Sequence, residues 1–287
     1  MSLISCEIVN SLFSLHACVF CLIIRSEIEK QLNGEVEPPF FDSVKRFFST
    51  PGFTRPLAAF ICSISITNVV GAFIDEVMTR GGIHEQISID LAGAGFELAI
   101  LVGGIIIGGY VDKTKKYKDV TMACLIFSLI VLAPLGMTEH AIGQQPVLLI
   151  ASLLGLGMAV GPVQPINAEL AVDVTYPSDE TAVESVQQIG GNLVSALLVP
   201  LAELASKKDF VFFKSVGILE TDVRGDVILL TIVALVTLGY FSGFDAPLRR
   251  TIADCADDNS CARPELNMEN IELMPEDIEE KIKKLSK

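Results

Sequence analysis

Seven apolar blocks dominate this 287-residue chain, at residues 3–24, 56–74, 91–111, 120–137, 146–172, 183–202 and 227–248. Each is close to the roughly 20 residues that a helix needs to cross a hydrocarbon core about 30 Å thick. Hydrophobic residues make up 51% of the chain and charged ones only 20%, and the mean hydropathy is +0.53. A soluble fold would have to bury seven all-apolar helices at its centre at once, which one core cannot do. The expected fold class is an all-α, multi-pass membrane protein.

The formal net charge of −14 points to no nucleic-acid partner. Much of it sits after residue 250, where ten Asp and Glu face five Lys and Arg. Such a run reads as a solvated tail. Cys18 and Cys21 form a C-x-x-C, but inside a lipid-length run with no strand beside it, so buried apolar thiols are the better reading. His16, His84 and His140 are too scattered for a metal site. The first block carries Glu7 early and lacks a basic leader, which favours a membrane helix over a signal peptide.

Lys and Arg counts orient the spans. Five fall in 25–55, one in 75–90 and four in 112–119, and none in 138–145 or 173–182. Seven spans with the N-terminus outside put 25–55, 112–119 and the tail in the cytoplasm. The connection at 203–226 dissents, with four basic residues on the expected outer side.

The stretch "GGYVDKTKKYK", residues 108–118, holds more than an anchor. Gly104, Gly108 and Gly109 suggest a flat helix face for close packing. Asp112 stands at a tight turn, where a carboxylate can meet the free N–H groups of the next helix. "GPVQPINAELAVDVTYPSDE", residues 161–180, ends the fifth block, which Gly155, Gly157, Gly161, Pro162 and Pro165 are expected to break.

Both stretches resemble known signatures. G-x-x-x-D-[RK]-x-G-[RK]-[RK], between two membrane helices, marks the major facilitator superfamily. Gly108, Asp112, Lys113 and Lys116 match it, while Lys115 replaces the second glycine, as in the later of the superfamily's two copies. Residues 161–180 resemble the tenth-helix signature of the feline leukaemia virus subgroup C receptor family, solute carrier family 49. Pro165, Ile166, Glu169, Leu170, Thr175, Tyr176, Pro177 and Glu180 fit, with Asp173 for a second glutamate. "NVVGAF", residues 68–73, is similar to that family's seventh helix. The resemblance covers about residues 10–250. It implies the six-helix C-terminal half of the major facilitator fold plus one preceding helix. On that reading residues 1–24 equal the sixth helix, 25–55 form the cytoplasmic central loop, 56–248 the bundle and 249–287 an acidic cytoplasmic tail.

Polar side chains inside the spans are the candidates for function. Asn68 lies deep in the second block, with Asp75 and Glu76 near its outer end in solvated positions. Glu97, seven residues into the third block, is a candidate coupling carboxylate. Gln188 and Asn192 are one turn apart on the sixth block. The resemblance implies a substrate-orienting amide at Asn192, where the family usually has glutamine. It also implies an aromatic ring against the substrate's ammonium at Phe73, where tyrosine is usual. Asp112, Lys113, Lys116 and Glu169 are the candidate coupling or gating residues.

Two functions follow. The first is alternating-access transport of a small organic solute, a choline- or ethanolamine-like cation or a heme-related one. The second is a non-transporting membrane chain that binds or regulates a full-length relative. The partners expected are the solute, the bilayer, and an N-terminal half or a second copy; no cofactor is implied. No nucleophile, metal set or phosphate loop speaks for an enzyme. "MPEDIEEKIKKLSK", at the C-terminus, is expected to form a short helix after a disordered linker at about 253–270.

Overall fold

The computed structural model describes residues 40–136, 146–211 and 222–257. The first apolar block, the C-x-x-C and the C-terminal helix expected over 275–287 lie outside the described residues. Contacts divide the chain between Asp42 and Ser43, and the second unit holds the bundle.

The elements in order are α1 (Phe40–Ser49), α2 (Thr54–Arg80), α3 (Gln86–Thr114), α4 (Tyr117–Leu135), α5 (Pro146–Thr175), α6 (Glu180–Ser206), β1 (Asp209–Val211), β2 (Asp222–Arg224), α7 (Gly225–Ser242) and α8 (Arg249–Asp257). Among the described residues, helices α2 to α7 are the six long enough and apolar enough to cross a membrane. The protein is thus an all-α, multi-pass membrane protein, with one short antiparallel ribbon pairing Asp209 with Arg224.

Several boundaries differ from expectation. A helix, α1, lies within the stretch expected to be only a loop. It is held by Phe47, whose buried ring stands 5.8 Å from that of Phe53. The last apolar block leaves its helix at Ser242, and α8 reaches Asp257, into the expected linker.

Helix α5 is the hub, packing on α2, α3 and α4, while α2 also carries α6. Helices α3 and α4 scarcely touch each other. The expected break in α5 is absent: it runs unbroken from Pro146 to Thr175 with Pro162 and Pro165 inside. Each proline has an intrinsic helix penalty of about 3 kcal/mol, which contact with three neighbouring helices outweighs here. Glycines make that contact close. A Cβ on Gly161 would stand 2.5 Å from the Ile100 carbonyl oxygen, and one on Gly157 2.8 Å from that of Phe96. On α3 the close glycine is Gly103, 2.7 Å by the same measure from the Met158 carbonyl oxygen. Gly104, Gly108 and Gly109 meet nothing within 4 Å, so the flat face expected from them packs on no helix of the bundle. The reason is phase: Gly103 is the member of the run turned toward α5.

The two ends of the bundle are built differently. At the end carrying 75–90, Arg224 is fully buried. Its Nε donates to Asp226 Oδ1 at 2.8 Å, its Nη2 pairs with Asp226 Oδ2, and its Nη1 lies 3.0 Å from Glu76 Oε1. Burial lowers its pKa, but Asp226 and Glu76 outweigh that and hold the guanidinium above its ordinary value. Glu76 is therefore an ion-pair partner and not simply a solvated acid. Lys207 similarly pairs with Glu203 at 3.5 Å. Two of the four cations that opposed the expected orientation are thereby matched by acids at the same end.

Candidate functional site

Contacts between helices fix the depth of each polar side chain. Ser63 Oγ donates to the Val160 carbonyl at 2.8 Å, which levels α2 with α5. Gly161 against Ile100 levels α3 with α5, and Gly191 against Ile64 levels α6 with α2. Counted from those points at 1.5 Å per residue, Asn68, Glu97, Gln188 and Asn192 fall within about two helical turns of one another. All four are exposed. Three different helices thus carry polar groups on open faces at one depth. Phe73 is placed differently: it is half-buried, packed against the core beside Leu132 and Val227.

The exposed side chains of α4 and α7 at similar depth are apolar. On α4 they are Ile126, Phe127 and Ile130, and on α7 they are Ile232, Leu235 and Val236. At this depth the exposed polar residues therefore fall on α2, α3 and α6, among exposed Leu98, Leu101, Ile189 and Leu193, while the exposed residues of α4 and α7 are apolar.

Behind these faces lies a buried polar chain not singled out from the sequence. Asn167 on α5 is fully buried and donates to Thr121 Oγ1 of α4 at 3.1 Å and to the Val163 carbonyl at 2.8 Å. Gln187 on α6, also fully buried, donates to the Asn167 carbonyl at 3.0 Å. The amide that ties α6 to α5 is thus Gln187, while its neighbour Gln188 faces outward. Neither Asn167 Oδ1 nor Gln187 Oε1 has a hydrogen-bond partner. The clue lay in the sequence: two adjacent glutamines on a helix must point about 100° apart, so one of them faces inward.

The lysine end carries the remaining candidates. Asp112 is exposed on the last turn of α3 and does not cap α4, whose N-cap Lys116 makes no side-chain cap. Lys115 ends α3 in the left-handed region at φ 54°, with its N–H on the Val111 carbonyl at 2.7 Å. That conformation is the one glycine takes most easily, and Lys115 sits where the superfamily signature has its second glycine. Lys113 and Lys116 are exposed, and Glu169 is half-buried on α5.

The "YPSDE" end of the second signature is a set of caps. Asp179 N-caps α6, accepting from the N–H of Thr181 at 3.1 Å and of Ala182 at 3.2 Å. Glu180 pairs with Arg250 at 2.8 Å. Asp173, buried at the end of α5, accepts from the N–H of Arg250 and Thr251 at the start of α8. The Tyr176–Pro177 peptide bond between these caps is cis.

Six helices of spanning length among the described residues make this a multi-pass helical membrane protein. The family model of the Major Facilitator Superfamily matches residues 5–208, and the chain belongs to that superfamily. It is 28% identical over 159 residues to "Solute carrier family 49 member A3" of Xenopus tropicalis, covering 54% of this chain and 32% of that protein. Against the protein of the same name in Danio rerio it is 20% identical over 201 residues, 67% and 42% of the two chains. It is 24% identical over 141 residues to the "Choline/ethanolamine transporter flvcr2a" of Danio rerio, 49% and 30% of the two chains. The chain spans between 30% and 42% of the length of these curated relatives.

Proposed function

We propose that this bundle forms one wall of a solute pathway, and that the solute is a small organic cation of the choline or ethanolamine kind, moved by alternating access. The observation that carries the reading is the asymmetry of the exposed residues. Asn68, Glu97, Gln188 and Asn192 share one depth on α2, α3 and α6, interspersed with exposed leucines and Ile189, while α4 and α7 turn only apolar residues outward there. An ionisable residue facing lipid at the helix centre is unfavourable by about 3 kcal/mol. An amide there forfeits about 1–2 kcal/mol of interhelical bonding. A polar cavity or a covering partner removes both penalties.

In this reading Asn68, Gln188 and Asn192 orient the solute, and Glu97 supplies a counter-charge for a cation. Phe73 would have to turn from the core to offer a cation–π face. Asp112, Lys113, Lys116 and Glu169, around the lysine-end turns, would bias the two access states. The name of one relative, the choline/ethanolamine transporter flvcr2a of Danio rerio, supports the solute class; no relative described above supports a heme-related solute.

The opposite wall would be a second six-helix half or a second copy of this chain. Uptake of radiolabelled choline and ethanolamine by cells producing the chain, with and without an added N-terminal half from a relative, tests this. Uptake should require the second half and fall when Asn192 is changed to alanine. Saturable uptake by the chain alone, unchanged by Asn192→Ala and Phe73→Ala, overturns both the wall and its residues. If the added half binds but no uptake appears, the chain is the non-transporting partner of a full-length relative.

A further inference from the structure

Two side-chain oxygens in the seam between α5 and α6 are buried with no hydrogen-bond partner, Asn167 Oδ1 and Gln187 Oε1. Both residues are fully buried, and each amide is held in place by its nitrogen. Asn167 Nδ2 donates to the Val163 carbonyl at 2.8 Å and to Thr121 Oγ1 at 3.1 Å, and Gln187 Nε2 donates to the Asn167 carbonyl at 3.0 Å. Turning either amide over would set its oxygen against a carbonyl oxygen, and two acceptors repel. The orientation of both amides is therefore fixed, and with it the position of two oxygens that want a donor.

The surrounding protein has little to offer them. Their buried neighbours on the same helices, Val163, Ile166, Leu170 and Val183, are apolar. Backbone N–H groups inside a helix are already committed to carbonyls four residues back. Helix α6 leans chiefly on α2 and only lightly on α5, so this seam lacks the close approach that glycines give α3 and α5. A buried oxygen without a donor carries the full cost of its lost hydration, and here two such oxygens stand on adjoining helices.

We propose that the seam binds one water molecule, which donates one hydrogen to Asn167 Oδ1 and the other to Gln187 Oε1. The demand is for two donors and no charge, and a water supplies that. Buried waters make about three hydrogen bonds to polar groups of this kind. A hard metal cation instead takes about six or more oxygen ligands, and the two amide oxygens are neutral. The water completes a polar tie across three helices, from Thr121 on α4 through Asn167 on α5 to Gln187 on α6. It stands independently of the solute proposed above, since the neighbouring Gln188 faces outward and Gln187 does not.

X-ray hydroxyl-radical footprinting of the whole chain in lipid nanodiscs tests the site. Radiolysis splits a held water where it sits, and the radical oxidises the side chains beside it, which radicals from bulk water do not reach. Val163 and Val183 are fully buried, one turn before Asn167 and Gln187. They should be oxidised several-fold more than Leu153 and Leu156, which are as deeply buried on α5 but about three turns or more from Asn167. Asn167→Leu combined with Gln187→Met removes both oxygens at nearly constant volume. The excess at Val163 and Val183 should be lost in that variant, with Leu153 and Leu156 unchanged. An excess that persists there shows that these oxygens hold no water. On the unaltered chain, oxidation of Val163 and Val183 no greater than that of Leu153 and Leu156 overturns the proposal, whether or not the variant folds.

Discussion

Asp173, buried at the end of α5, holds the first turn of α8 seventy-eight residues away: Thr251 gives it both a backbone N–H at 3.2 Å and its hydroxyl. Together with the Arg250 N–H at 2.9 Å, that leaves α8 capped by a side chain from another helix. Removing an N-cap costs about 1–2 kcal/mol. Asp173→Ala should therefore release α8 locally, speeding amide exchange at Arg250 and Thr251 by roughly tenfold. The six spans should keep their protection, and unchanged exchange at those two amides would show that the cap does not hold α8.

Arg224 and Asp226 make the second test. Asp226 is nearly fully buried, so Arg224→Met leaves a carboxylate without its counter-ion. Breaking a buried pair this way costs about 3–5 kcal/mol. Glu76 is more than half exposed, and Glu76→Gln should cost less than about 1 kcal/mol. Thermal unfolding in detergent should separate the two by many degrees, and equal midpoints would refute this division of the ion pair.

The glycines of α3 and α5 give opposite expectations. Gly161→Val places atoms where the Ile100 carbonyl stands, so helices must separate, at about 1–3 kcal/mol. Gly104→Ala and Gly108→Ala meet open space inside a helix and should hold or raise the unfolding midpoint of this chain, since alanine lacks glycine's helix penalty of about 1 kcal/mol. If those two alanines destabilise it as much as Gly161→Val does, the packing of α3 described above is incorrect.

Lys115 occupies a left-handed position at φ 54°. A non-glycine residue there stores about 1 kcal/mol, which Lys115→Gly should recover as added stability, less the entropy glycine adds to the unfolded chain. A fall in the unfolding midpoint would mean that the Lys115 contacts with Tyr117 outweigh the strain.

The spans were legible because lipid demands length and apolarity together, and both are written locally: all six described spans begin within about five residues of their blocks, and four of them end as near. The second block's helix runs on to Arg80, carrying Asp75 and Glu76 on its last turns, and the last block's helix stops short at Ser242. Helix phase was not legible. Gly103 and Gly104 look alike in a run of glycines, as Gln187 and Gln188 do in a pair, and only the neighbour's position decides which one turns inward. Long-range pairs such as Arg224 with Glu76, or Asp173 with Thr251, were invisible because their partners are far apart in the chain. The continuity of α5 through two prolines was missed for a related reason, since local propensity argues for a break and tertiary packing overrules it.

If Asn68, Glu97, Gln188 and Asn192 face an aqueous solute pathway, cysteines at those positions will react with water-borne reagents. Each position, and Ile130 and Leu235 as controls, would be changed singly to cysteine in a cysteine-less background and exposed in membranes to a hydrophilic thiosulfonate. Thiols react as thiolates, which form in water and not in hydrocarbon. Labelling at the four polar positions should run roughly tenfold faster than at the two controls, with choline slowing it at Asn192→Cys. Equal, slow labelling at all six positions, or fast labelling that choline leaves untouched, would contradict it.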